Sequence, residues 1–68
     1  MKIILKKNED KRLKTGHLWV FSNEISTIEG NPETGDFIDV LDDKNNFIAR
    51  GFYNKNSLIA VRILPSFN

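Results

Sequence analysis

Turn signals punctuate this chain so often that nothing beyond Gly16 reads as a helix. Gly30-Asn31-Pro32-Glu33-Thr34-Gly35, Asp42-Asp43-Lys44-Asn45-Asn46 and Asn54-Lys55-Asn56 are rich in the residues that turns demand. Between them lie β-branched and aromatic stretches at intervals of about 8–12 residues, the spacing of a small barrel or sandwich. The implied strands cover residues 2–6, 17–21, 25–28, 36–41, 47–53 and 57–64. In the last of these Ile59, Val61 and Ile63 share one face, and Ala60 and Arg62 the other. A barrel is favoured over an open sheet because it covers its own apolar face and edges. Trp19, Phe21, Val40, Ile59, Val61 and Ile63 are the expected core. On that basis Trp19→Ala should cost about 3–5 kcal/mol, as a large-to-small core change does.

One short helix is expected over Glu9 to Thr15. Asn8 would cap it through its side-chain oxygen, Glu9 and Asp10 would sit at the positive end of the dipole, and Gly16 would end it. Two turns are unstable alone, so the helix must dock on the sheet, through Leu13.

With 68 residues the chain holds one domain, and a core of that size only just offsets the entropy of ordering it. Small domains usually add disulfides, a metal or a partner. There is no cysteine and a single histidine, His17, which excludes disulfides, zinc fingers and thiol catalysis. The longest apolar runs, Leu18 to Phe21 and Leu58 to Val61, are four residues each, too short for a membrane helix or a signal peptide. The expected setting is cytoplasmic. The end at Leu64-Pro65-Ser66-Phe67-Asn68 reads as the start of a linker into something longer, giving a domain over 1–64 and a linker from 65–68.

Catalysis fails on inventory. The carboxylates Asp36, Asp39, Asp42 and Asp43 run along one strand and its turn, where solvated charge is the expected role. The turn lacks calcium-loop spacing. Glycines 16, 30, 35 and 51 form neither a phosphate loop nor a dinucleotide fingerprint. The residues themselves imply no cofactor and no metal.

Binding is better supplied. Net charge is only +1, but it is segregated: +4 over residues 1–20, −7 over 21–43 and +4 over 44–68. Folding can bring the two basic segments together as a face for phosphates or for an acidic protein. Lys11 and Lys14 share one side of the helix, and Gly16 leads straight into His17 and Trp19. Cations would neutralise phosphates, and an exposed ring or imidazole would stack on an unpaired base. Arg50 and Arg62 would extend the face if their strands were neighbours.

The ordered string Lys11-Arg12-Leu13-Lys14-Thr15-Gly16-His17-Leu18-Trp19-Val20-Phe21-Ser22-Asn23-Glu24-Ile25 resembles the start of a bacterial family of S-adenosylmethionine-dependent methyltransferases. Its members make 5-methylcytosine in large-subunit (23S) ribosomal RNA, and their chains open with a PUA domain. Gly35-Asp36, then Ala49-Arg50-Gly51-Phe52-Tyr53-Asn54, then Ser57, Ile59, Arg62 and Leu64 match in order, so the resemblance spans Ile4 to Leu64. Leu18, Ala49 and Lys55 replace the proline, glycine and proline usual at those positions, which alters loop stiffness more than chemistry.

The resemblance implies a PUA-like pseudo-barrel of mixed strands with one short helix beside it. It implies RNA held along the helix, the glycine turn and a neighbouring strand. Those places correspond here to Lys11, Arg12, Lys14, Gly16 and His17, with Arg50, Tyr53, Asn54 and Arg62 as a second tier. It further implies that ribosomal RNA is the partner, and that S-adenosylmethionine belongs to a methyltransferase domain of the same parent chain, outside these residues. The rival from another class is a protein-interaction or homodimerisation barrel with no RNA contact.

Overall fold

The computed structural model describes residues 1–65; the rest of the expected linker, residues 66–68, lies outside the described residues. The elements follow in the order β1 (Lys2–Leu5), α1 (Lys11–Lys14), β2 (Trp19–Phe21), β3 (Ile25–Glu29), β4 (Phe37–Leu41), β5 (Phe47–Tyr53) and β6 (Ile59–Ile63). A 3-10 turn at Ser22–Glu24 joins β2 to β3. β5 has the ends expected from sequence, and the other strands differ only at theirs.

All six strands form one mixed sheet in the order β2-β6-β5-β4-β1-β3. β1 runs parallel to β4, and every other neighbouring pair is antiparallel. The two edge strands, β2 and β3, are consecutive in sequence. Were the sheet flat, five strand spacings would separate them by about 24 Å. The Ser22–Glu24 connection reaches at most about 14 Å from Phe21 to Ile25. The sheet must therefore curl until its edges approach, and the 3-10 turn closes the gap. Ser22 N–H donates to Leu58 O at 2.8 Å and Lys6 N–H to Glu24 O at 2.9 Å, tying the turn to both sides. The result is the mainly β pseudo-barrel with one short helix that the sequence implies.

Inward positions alternate as strands require. Ile3 and Leu5 of β1, Ile38 and Val40 of β4, Val20 of β2 and Val61 of β6 form the buried core, with Leu13, Ile25, Tyr53 and Ile63 packed against it; Ala60, next to Val61, breaks the alternation and is buried as well. Leu13 thus docks the helix as expected. Gly51 leaves no room for a side chain against β6: a Cβ there would stand 2.1 Å from Arg62 O.

Four expectations are corrected. Trp19 is 40% exposed and outside the core, because the inward position of the short strand β2 belongs to Val20, opposite Val61. Phe21, Ile59 and Ile63 are half-buried, whereas Val40 and Val61 are fully buried. The helix is shorter than expected, and Asn8 does not cap it: Asn8 takes φ +69° in the turn after β1, and Asp10 stands at the N-cap without a side-chain bond to the helix backbone. Asp42 is a buried anchor, not a solvated charge. It accepts bonds from Lys44 N–H (2.9 Å), Asn46 N–H (2.8 Å) and the Asn46 side-chain amide (3.2 Å), and so fixes the β4–β5 turn.

Candidate nucleic-acid interface

The helix end is built as its sequence suggests. Gly16 N–H bonds Leu13 O at 3.2 Å and His17 N–H bonds Arg12 O at 3.0 Å, the pair of reversed bonds that closes a helix through a left-handed residue. Gly16 supplies that residue with φ +103°. Nothing lies within 4 Å of the place a Cβ would occupy there, so the backbone is open to an approaching group. His17 follows, exposed, and meets Trp19 edge-on with ring centroids 6.0 Å apart.

The helix cations are less available than the sequence suggests. Arg12 binds Glu24 at 2.6 Å and lies over the Phe21 ring at 5.1 Å. Burial pushes the Glu24 carboxyl up, but its bonds from Arg12 and the Phe21 N–H outweigh that and hold it below the usual range. Lys14 binds Asp10 at 2.7 Å; that bond lowers the Asp10 pKa and raises that of Lys14. Backbone donation from Asn46 likewise holds Asp42 low. Lys7, Lys11, Lys14 and Lys44 share a hollow with Asp10, Asp42 and Asp43, so acids offset most of the charge there. Among the described residues, Lys11 and Arg62 enter no ion pair.

The condition set for Arg50 and Arg62 is met. β5 and β6 are neighbours, Arg62 faces Phe52, and Arg50 lies two residues from Phe52 on the same side of β5. Arg50 also binds Asp39 at 2.7 Å, an exposed pair that a phosphate could exchange cheaply. One cleft is lined by Gly16 and Leu18 from the turn after α1, by Phe47 and Arg50 of β5, and by Ile63 and Leu64. Tyr53 and Asn54 lie elsewhere, in a depression shared with Ser22, Ile25, Ser26 and Ser57. The structure thus brings Gly16, His17, Arg50 and Arg62 to adjoining surfaces, leaves Lys11 in the separate hollow beside the helix, and sets Tyr53 and Asn54 apart from them.

Residues 3–66 match the family model of a PUA-like domain. The chain belongs to the PUA-like family.

This PUA-like domain is similar to the corresponding part of proteins named ribosomal RNA large subunit methyltransferase I. The protein of Photobacterium profundum is 44% identical over 62 residues, which cover 90% of this chain and 16% of that protein. Those of Vibrio cholerae and Alteromonas mediterranea are 39% and 38% identical over 61 residues, covering 90% of this chain and 15% of each. The chain thus spans only 15–16% of the length of these relatives. No helix among the described residues is long and apolar enough to cross a membrane.

The PUA-like domain carries one feature that sequence reasoning missed. Trp19 lies opposite Arg62, Arg62 opposite Phe52, and Phe52 opposite Phe37, forming a row across β2, β6, β5 and β4 on the outer side of the sheet. Phe37 and Phe52 stack with centroids 4.5 Å apart at 30°. The i, i+2 spacing of Arg50 and Phe52 signals a shared face. The pairing of residue 52 with 37 and 62 depends on register, which no local signal carries.

Proposed function

We propose that this domain binds ribosomal RNA and positions it for a methyltransferase domain of the same longer chain. The observation that carries the reading is the cleft in which the open Gly16 turn meets Arg50 of β5, with Arg62 on the neighbouring strand. Arg62 and Lys11 supply unpaired positive charge, Arg50 supplies charge held only by an exposed acid, and His17 stands ready to contact a base or sugar. The relatives' name supports ribosomal RNA as the ligand and methyl transfer as the parent activity. Cytosine C5 is the methyl acceptor we infer from the resemblance described above. S-adenosylmethionine would bind in the catalytic domain. These residues hold and orient RNA, and the site of action is the cytoplasm.

Binding of a large-subunit ribosomal RNA fragment to the 68-residue chain, measured across a salt series, tests this. With about three phosphate contacts, log K should fall against log salt with a slope near −2 to −3. Arg62→Ala should flatten it by about one unit. A chain that binds no RNA even at low salt, yet associates with itself or with an acidic protein, would be an interaction barrel instead.

A further inference from the structure

The outer row of the sheet lies beside the cleft but is not part of it. Trp19, Phe52 and Phe37 are 40%, 40% and 54% exposed, although each is large and apolar. They occupy successive cross-strand positions, interrupted only by Arg62. Three strand spacings make the row about 14 Å long. His17 meets the Trp19 end of the row edge-on.

We propose that this row is a stacking platform for unpaired RNA bases, with Trp19, Phe52 and Phe37 as ring surfaces and Arg62 as the cation between them. The proposal rests on the RNA-binding reading above and adds the class of ligand: single-stranded or looped-out nucleotides, not duplex. The chemistry of the face favours RNA over a protein partner. An aromatic face accepts any base, and a guanidinium among the rings can stack on a base or pair with the phosphate that joins two of them. The neighbouring positions on the same side are Arg50, Asp39, Lys2 and Glu29, so with Arg62 the face holds three cations against two acids, and both acids lie away from the Trp19–Arg62–Phe52 part of the row. An arginine at the centre of the row suits a phosphate or a base face directly, whereas a protein docked there would strand the charge unless it brought an acid to that point. Mutual stacking of Phe37 and Phe52 holds both rings in place before any ligand arrives, which lowers the entropy lost on binding. A sheet face with rings in this number accommodates about two or three bases.

Trp19 is the chain's only tryptophan, so its fluorescence reports directly on the platform. The probe is an unstructured oligoadenosine of about eight nucleotides, compared with an RNA duplex of similar length. The single strand should quench Trp19 and bind more tightly than the duplex. Phe37→Leu, which keeps apolar area but removes the π face, should weaken single-strand binding about tenfold, whereas Phe37→Tyr should retain it. Phe37 is more than half exposed, so neither change threatens folding. If RNA binds without perturbing Trp19 and Phe37→Leu has no effect, the platform is overturned while the RNA-binding cleft stands. If neither RNA form binds and the chain self-associates through this face, both readings fall and the row is a protein interface.

Discussion

The Arg12 guanidinium and the Glu24 carboxylate meet at 2.6 Å, and this contact fastens the helix to the turn that closes the barrel. The second Glu24 oxygen accepts the Phe21 N–H at 2.7 Å, so one carboxylate holds the helix, the end of β2 and the start of β3 in register. Glu24 is buried, whereas Arg12 is half-exposed.

Arg12→Ala should therefore destabilise the fold by about 1 kcal/mol, near the low end for removing a charged partner, because water can reach Glu24 from the vacated side. The native state holds the Glu24 pKa below its unfolded value, so its contribution is fully present above the unfolded pKa of about 4.3 and is lost as pH falls through the folded value. Urea denaturation from pH 7 down to pH 3 should show a smaller acid-dependent loss in Glu24→Gln than in the parent.

Gly51→Ala should be the most damaging single methyl addition among the glycines. The new Cβ would meet the Arg62 carbonyl oxygen at 2.1 Å, and a backbone atom held in the β5–β6 ladder cannot swing aside. Overpacking of this kind costs about 1–3 kcal/mol, a large share of what a domain this small has. Circular dichroism melts should show a strongly lowered midpoint or no cooperative transition.

Trp19→Ala should cost about 1–2 kcal/mol, less than the 3–5 of a core aromatic, since Trp19 is only partly buried. A soluble variant with a cooperative denaturation curve and impaired RNA binding is the expected outcome. Complete unfolding would return the tryptophan to the core.

Lys11 and Lys14 should behave differently despite sharing a helix turn. Lys14 is held by Asp10, whereas Lys11 enters no ion pair among the described residues. In a salt series with ribosomal RNA, Lys11→Ala should flatten the slope by up to about one unit and Lys14→Ala by clearly less. Equal effects would show that RNA displaces Asp10.

The strands were legible because their signals are local: alternation, β-branching and turn residues placed all six, and Phe47–Tyr53 to the residue. Trp19 was not. Trp19-Val20-Phe21 is apolar on both faces, so alternation cannot say which faces inward. Pairing of Val20 with Val61 decides it, across forty residues of chain. Arg12 looked free for the same reason, since its partner Glu24 lies beyond the helix and a strand. Gly16 was legible as a helix end because a left-handed residue has few substitutes. Asp42 was misjudged because its donors come from the turn it organises.

The strand order also sets a timetable. β2 is made early but, among the described residues, pairs only with β6, and β1 waits for β4 before it gains its parallel neighbour. During vectorial synthesis Trp19 and Val20 thus stay unpaired until residues 61 and 62 have emerged, and no early subset of strands can curl shut alone. Such non-local wiring slows folding relative to a meander of the same size. It also makes the domain a late, all-or-none assembly whose aromatic face exists only once the whole sheet does.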